Sequence, residues 1–337
     1  MPKGKSFLYT IKAMEKKNKL NLIGQALLLV ATLAWGSSFL ILKNTIEHVP
    51  GFFVIFIRFL AAAIIVGLIF IKRIIKINKR SFICGLILGV TVGFAYLIQT
   101  WGLKYTTPSH NAFLTATYCI MCPFLYWLLY KRKPKIYNII AALLCMVGIA
   151  LISFLGGKQE SGSNILLGDA ITLLSAVFYA LQIIFIDKFQ EEGIDTIVLI
   201  VLQFFFVSIV LLIGWLVFEL PTSGLQAIAN INGQQWLSIL YLTVACTLVA
   251  QIAQMVGQRW TTANQSAVIL SLEAVFGAMF SVIFGTETLT VFLVIGFVLT
   301  FSSILINEFK LDPIKLFKKR YKDNSVKVEE NEQTQEK

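Results

Sequence analysis

The chain has 337 residues, of which 57% are hydrophobic and only 14% charged, and it carries a net charge of +11 at neutral pH. A soluble domain holds about 25% charged residues and could not hide this much apolar surface from water, so the composition excludes an ordinary globular fold. The positive charge does not mark a nucleic-acid binder, because the basic residues gather at the ends of apolar runs, as membrane orientation requires.

In chain order, residues 1–21 form a basic segment expected to be mobile. A membrane helix needs about 20 apolar residues. Ten such runs follow, so the predicted fold class is all-α integral membrane with ten transmembrane helices. The first run, 22–43, is too long for a signal-peptide core and lacks a small-residue cleavage site, so it reads as a retained helix. It carries Trp35, Ser37 and Ser38, with Gly36 expected to let the helix bend at mid-span. The second, 50–71, places Arg58 about nine residues in, roughly 12 Å deep. The third, 81–103, repeats Gly85, Gly89 and Gly93 every four residues, a pattern for close helix contact or bending. Its Tyr96 and Gln99 share one face. The fourth, 108–130, holds Asn111, Thr115 and Tyr118, and the fifth, 136–155, has few polar groups.

The sixth run, 166–187, carries Asp169 near one end and Tyr179 and Gln182 further in. The seventh is 196–218, and the eighth, 235–257, pairs Gln251 with Gln254 on one face. The ninth, 262–284, centres on Glu273, and the tenth, 290–306, again has few polar groups. All five cysteines fall inside apolar runs. Cys119-x-x-Cys122 lacks a companion His or second Cys pair, so it reads as small apolar filler, not as a redox or metal pair.

One motif occurs twice where an apolar run ends: Gly102-Leu-Lys-Tyr-Thr106-Thr107 and Gly257-Gln-Arg-Trp-Thr261-Thr262. The offset of 155 also relates Tyr96 to Gln251, Gln99 to Gln254 and Ala112 to Ala267, while an offset of 144 relates Gly24 to Gly168 and Trp35 to Tyr179. The chain therefore divides into a first five-helix repeat (22–155), a linker (156–165), a second repeat (166–306) and a charged cytoplasmic tail (307–337). Five is odd, so the second repeat should run inverted. The loops agree: 72–80 is rich in Lys and Arg while 219–235 has none, and 131–135 reads Lys-Arg-Lys-Pro-Lys while 285–290 holds only Glu287 as a charge. Inverted repeats place a shared site near the bilayer midplane, and such duplication points first to transport.

With both termini cytoplasmic, the inner segments hold 25 Lys and Arg and the outer ones only Lys43, Lys104 and Lys158. That asymmetry predicts a multi-pass protein of the cell membrane with this orientation. Segment 187–195 disagrees, with Asp187, Glu191, Glu192 and Asp195 against Lys188, but acidic residues count little in this rule.

The two units resemble the paired EamA domains of the drug/metabolite transporter superfamily, over about residues 22–306. The resemblance is carried by Trp35-Gly36-Ser37, by Pro50 with Arg58-Phe59, and by the Gly102…Thr106-Thr107 link. In the second half it is carried by Thr261-Thr262, the run from Ser271 through Glu273 to Phe276, and Gly285…Glu287. The family often has Pro after the ninth-helix Glu, where Ala274 stands here, and an adjacent Gly-Glu where Thr286 intervenes. The resemblance implies a ten-helix carrier of small metabolites, commonly an exporter of amino acids or related compounds, without a bound cofactor.

Ionisable and amide groups inside a span are costly and so are candidates for function. The expected substrate-binding set is Trp35, Ser38, Tyr96, Gln99, Asn111, Tyr118, Tyr179, Gln182, Gln251, Gln254 and Glu273. Gly36, Arg58, Gly89 and Gly93 are expected to gate or to hold structure. Each has a plainer use, the amides as interhelical hydrogen bonds and the glycines as packing. No catalytic residue, metal site or cofactor is expected. His48 and His110 fall at loops, and no His-Glu-x-x-His, Gly-x-Ser-x-Gly or phosphate-binding loop occurs.

The expected function is alternating-access transport, in the export direction, of an amino acid or similar zwitterion, by third and fourth helices hinging against the eighth and ninth. Protons are a candidate coupling ion, through Glu273. The expected partners are the lipid bilayer and a small-molecule substrate, with the chain a monomer or weak homodimer and no nucleic acid involved. The alternatives are a broad drug or metabolite exporter, a sugar-phosphate carrier, which would need more inward cations than Arg58, and a membrane-embedded enzyme.

Overall fold

The computed structural model describes residues 3–151, 165–223, 225–284 and 290–308, and among them it is helical throughout with no strand. The order is α1 (Lys3–Ile46), α2 (Gly51–Ile69), α3 (Ile71–Ile74), α4 (Lys79–Tyr105), α5 (Pro108–Ala116), α6 (Tyr118–Tyr130) and α7 (Ile136–Ala150). Then come α8 (Ile165–Glu191), α9 (Thr196–Gly214), a π-helical stretch (Trp215–Glu219), α10 (Leu220–Ser223), α11 (Gln226–Ala229) and α12 (Gly233–Tyr241). A second π-helical stretch (Leu242–Val249) leads to α13 (Ala250–Gln258), α14 (Ala263–Leu270), α15 (Leu272–Ile283) and α16 (Val291–Glu308).

Eight helical segments among the described residues are long and apolar enough to cross a bilayer, and 136–150 and 294–307 form shorter apolar helices at the fifth and tenth predicted positions. The linker residues 156–164, Gly285…Glu287 and the tail beyond 308 lie outside the described residues. The outward-facing side chains are those of a lipid-facing surface: Leu68, Ile69, Leu128, Leu237 and Phe301 are all exposed.

Helix starts follow local capping chemistry. Asn78 accepts from the Ser81 amide at the head of α4, and Asp195 accepts from the Ile197 and Val198 amides at the head of α9. Asn232 with Gln235 and Thr262 with Gln265 close capping boxes on α12 and α14. Both Gly…Thr-Thr motifs gain the same explanation. Thr107 caps α5 and Thr262 caps α14.

Their glycines allow close crossings. A Cβ on Gly102 would lie 2.9 Å from the Gly168 carbonyl oxygen, and one on Gly257 would lie 2.7 Å from that of Gly24. The motif glycine of each half thus packs on the first-helix glycine of the other. The larger contacts alternate in the same way: α4 lies on α8 while α13 lies on α1, and α7 packs on α16.

The segment predicted to be mobile at 1–21 is instead helical from Lys3. From Lys5 to Ile23 there is no Gly or Pro to stop a helix growing back from the span. At Gly36, where a bend was expected, α1 continues unbroken. A Cβ there would lie 2.6 Å from the Phe276 Cβ and 2.9 Å from the Gly277 amide, so the glycine admits α15 against α1. Gly85, Gly89 and Gly93 similarly admit Leu202, Phe206 and Val210 of α9.

The acidic segment that strained the topology is paired. Asp195 bonds Arg73 at 2.9 Å, Glu192 bonds Arg80 at 2.9 Å, and Glu191 meets Lys188 and, at 3.6 Å, Arg132. It therefore lies on the same side of the molecule as the basic loops 72–80 and 131–135.

Candidate functional site

A cavity with about 580 Å³ of empty space, part of it open to solvent, lies among α1, α2, α4, α5, α6, α8, α13, α14 and α15. Its polar wall comprises Trp35, Ser38, Arg58, Tyr96, Gln99, Asn111, Thr115, Tyr118, Tyr179, Gln182, Gln254 and Glu273. Phe39, Leu42, Leu103, Ile183 and Leu270 complete it with apolar surface.

Two amide clusters fix this wall. In the first, Tyr179 donates to Gln99 Oε1 at 2.7 Å, Gln99 Nε2 donates to Thr115 at 2.9 Å, and Asn111 Nδ2 donates to Thr172 at 2.8 Å. These bonds tie α4, α5 and α8 together. In the second, Gln182 Nε2 donates to Gln254 Oε1 at 3.2 Å, and Gln251 Nε2 donates to the Tyr96 hydroxyl at 3.1 Å. Gln203 Nε2 adds a bond to Gln251 Oε1 at 3.0 Å. This cluster joins α4, α8, α9 and α13. Amides without water are strongly driven to find one another, so the clusters set side-chain positions as well as helix contacts. The aromatic rings interlock behind them, with Tyr96 edge-on to Tyr179 at 5.7 Å and Tyr118 at 6.4 Å from Tyr179.

Of the residues expected to bind substrate, all but Gln251 line this cavity. Gln251 stands behind the wall as the junction of the second cluster. Arg58, expected to gate or hold structure, lines the cavity. Gly36, Gly89 and Gly93 serve helix crossings outside it. Sequence reasoning passed over Gln203, a fully buried amide in the most apolar span; the mid-span rule that singled out its neighbours applies to it equally. Thr115 was noted in its span, but its role as acceptor for Gln99 becomes visible only with the fold.

Two ionisable groups face the cavity without an ion pair among the described residues: Arg58 and Glu273, 2% and 5% exposed. Arg58 Nε donates to Thr247 at 3.0 Å, and the residue lines the cavity. The Tyr118 hydroxyl lies beside the Glu273 carboxyl, and both it and Asn111 Oδ1 are buried with no hydrogen-bond partner by strict geometry among the described residues.

Polar clusters lie at both ends of the bundle. At one, Lys43 Nζ donates to the Leu103 carbonyl at 2.8 Å and to that of Thr106 at 3.1 Å. There Asp169 accepts from Thr106 at 2.5 Å and meets His110 at 3.2 Å, while Glu219 meets Lys104 at 2.6 Å. At the other end Tyr126 donates to Asp187 at 3.1 Å, and the Lys188 ammonium lies over the rings of Tyr126 and Tyr130. No group of three or more His, Cys, Asp or Glu is placed to hold a metal among the described residues.

The sequence profile of the EamA-like transporter family matches residues 22–154 and again 166–308. An uncharacterized transporter of Archaeoglobus fulgidus is 31% identical over 263 residues, covering 78% of each chain. A second from the same organism is 22% identical, over 84% of this chain and 96% of its own. The uncharacterized transporter YetK of Bacillus subtilis is 26% identical over 43% of this chain. A solved crystal structure superposes with a TM-score of 0.68 at 16% identity, covering 86% of this chain and 96% of its own, a likeness of fold.

Proposed function

The chain belongs to the EamA-like transporter family, and from that premise we propose that it exports amino acids or similar small metabolites across the cell membrane by alternating access at the central cavity. The observation that carries the reading is the cavity itself: rings, amides and two buried ionisable groups converge from both repeats on one space. A helix packing site needs none of those groups. A solute with polar and apolar parts uses them all.

In this reading the two repeats are inverted five-helix units of a ten-helix carrier, with both termini cytoplasmic. The Lys and Arg asymmetry supports the orientation. The reciprocal glycine crossings support the repeat: each half's motif glycine meets the other's first helix, so either pair can tighten as the other loosens. The end clusters at Lys43–Asp169–Glu219 and at Tyr126–Asp187–Lys188 then serve as gates. Protons are the proposed coupling ion, with Glu273 as the exchanging carboxyl. A sugar-phosphate carrier fits less well, because Arg58 is the sole cation among the cavity-lining residues.

The test is counterflow in proteoliposomes preloaded with single proteinogenic amino acids. Uptake of the labelled counterpart, recovered chemically unaltered, is the expected result. Failure of every amino acid to exchange would sink the substrate reading, and recovery of a modified solute would favour an enzyme.

A further inference from the structure

We propose that the cavity recognises the zwitterion of an apolar α-amino acid by its two charges, Arg58 taking the carboxylate and Glu273 the ammonium. This rests on the transport reading and assigns to Arg58 a substrate contact beyond gating or structure.

The two groups come from different walls: Arg58 from α2 beside Thr247, and Glu273 from α15 beside Tyr118. Neither forms an ion pair, with the other or with any described residue. Both lie within electrostatic reach of the Tyr96 and Tyr179 hydroxyls, so they share one small space. A buried charge without a counter-charge is costly, and removing one partner of a buried pair is strongly destabilising. Two opposite ionisable groups kept apart in one cavity are therefore arranged for a guest that brings both signs.

The guanidinium suits the negative end. Its Nε–H is spent on Thr247, which holds the plane, and its terminal nitrogens present the paired donors that match a carboxylate. The ammonium end finds acceptors in the Glu273 carboxyl, the Tyr118 hydroxyl and Asn111 Oδ1, the latter two buried with no hydrogen-bond partner among the described residues. A monoanion would leave Glu273 unmatched, and a monocation would leave Arg58 unmatched. Phe39, Leu42 and Leu103 supply an apolar wall for the side chain and offer no counter-charge to a cationic or acidic one.

The purified full chain in detergent can be tested with L-leucine and L-phenylalanine, their amides, which keep only the positive charge, and their N-acetyl forms, which keep only the negative. The free amino acids are expected to raise the unfolding temperature, with each blocked analogue binding about tenfold more weakly or worse, the loss expected for one charge-assisted contact. Glu273→Gln should narrow the gap between leucine and N-acetyl-leucine, and Arg58→Gln the gap between leucine and leucinamide. A structural role for either residue would weaken all ligands alike.

Equal binding of blocked and free forms by the wild-type protein overturns the proposal whether or not the variants fold, as does stabilisation by neither amino acid. Counterflow of labelled leucine reads the transport premise separately. Binding with the predicted selectivity but no counterflow would remove transport and leave the recognition standing.

Discussion

Glu219 joins three elements with one carboxylate. Its Oε2 accepts from the Phe52 amide at 2.8 Å in the first turn of α2, where Pro50 supplies no side-chain cap, and its Oε1 meets Lys104 of α4 at 2.6 Å. Glu219→Ala should lower the unfolding temperature, by about 1–3 kcal/mol of stability for a buried donor left unmatched, and Glu219→Gln by less, since an acceptor remains. Tyr179 differs in kind, because its hydroxyl orients Gln99 inside the cavity. Tyr179→Phe should cost about 1 kcal/mol or less, as buried hydrogen bonds in membrane bundles do, yet reduce transport severalfold at unchanged expression. For Glu273, the Gln variant should abolish transport driven by a pH gradient while substrate exchange continues at a reduced rate. Unaltered dependence on the gradient would remove Glu273 from coupling. Most cavity residues were legible as costly polar groups in apolar runs. Gln251 was legible as buried and polar, but its place behind the wall depends on Gln203 and Tyr96, which converge only in three dimensions.

At the scale of elements, the duplicated Gly…Thr-Thr motif is the link between sequence and architecture. The glycine lets two helix backbones meet, and the second threonine starts the next helix. Enlarging Gly102 or Gly257 to Val should separate α4 from α8 or α13 from α1, and melt or misassemble the protein, because the obstructing atoms include the Gly168 and Gly24 backbone carbonyls, which cannot rotate away, besides the Thr172 hydroxyl at Gly102. Gly93→Ala should also destabilise, since the new Cβ would lie 2.7 Å from the Val210 Cβ, an atom fixed to the α9 backbone. Eight of the ten expected span positions were readable from apolar length alone, while the fifth and tenth are shorter apolar helices among the described residues. The π-helical stretches Trp215–Glu219 and Leu242–Val249 were not, because an added residue per turn leaves hydropathy unchanged. The helix before residue 22 was hidden for the opposite reason: its polar residues mark the end of the apolar run, while helix propensity carries on.

For the whole molecule, the charge asymmetry and the pairing of segment 187–195 with the basic loops give one expected orientation. In a cysteine-free background, Gln234→Cys should react with an impermeant maleimide on intact cells and Arg132→Cys only after permeabilisation. The reverse pattern would invert the topology. The inner position expected for the acidic segment sits badly with its composition, and the fold eases the conflict because Glu191, Glu192 and Asp195 each meet a basic residue of a distant loop, while Asp187 is bonded by Tyr126. In alternating access, one cavity faces the two sides of the membrane in turn. Ser38 lines that cavity and differs from cysteine by one atom. The direct test is the rate at which Ser38→Cys, in the cysteine-free background, reacts with an impermeant methanethiosulfonate in right-side-out and in inside-out vesicles. Reaction from both sides, slowed from both by a transported amino acid, is the expected result; reaction from one side only, unaffected by any amino acid, would rule out alternating access at this cavity.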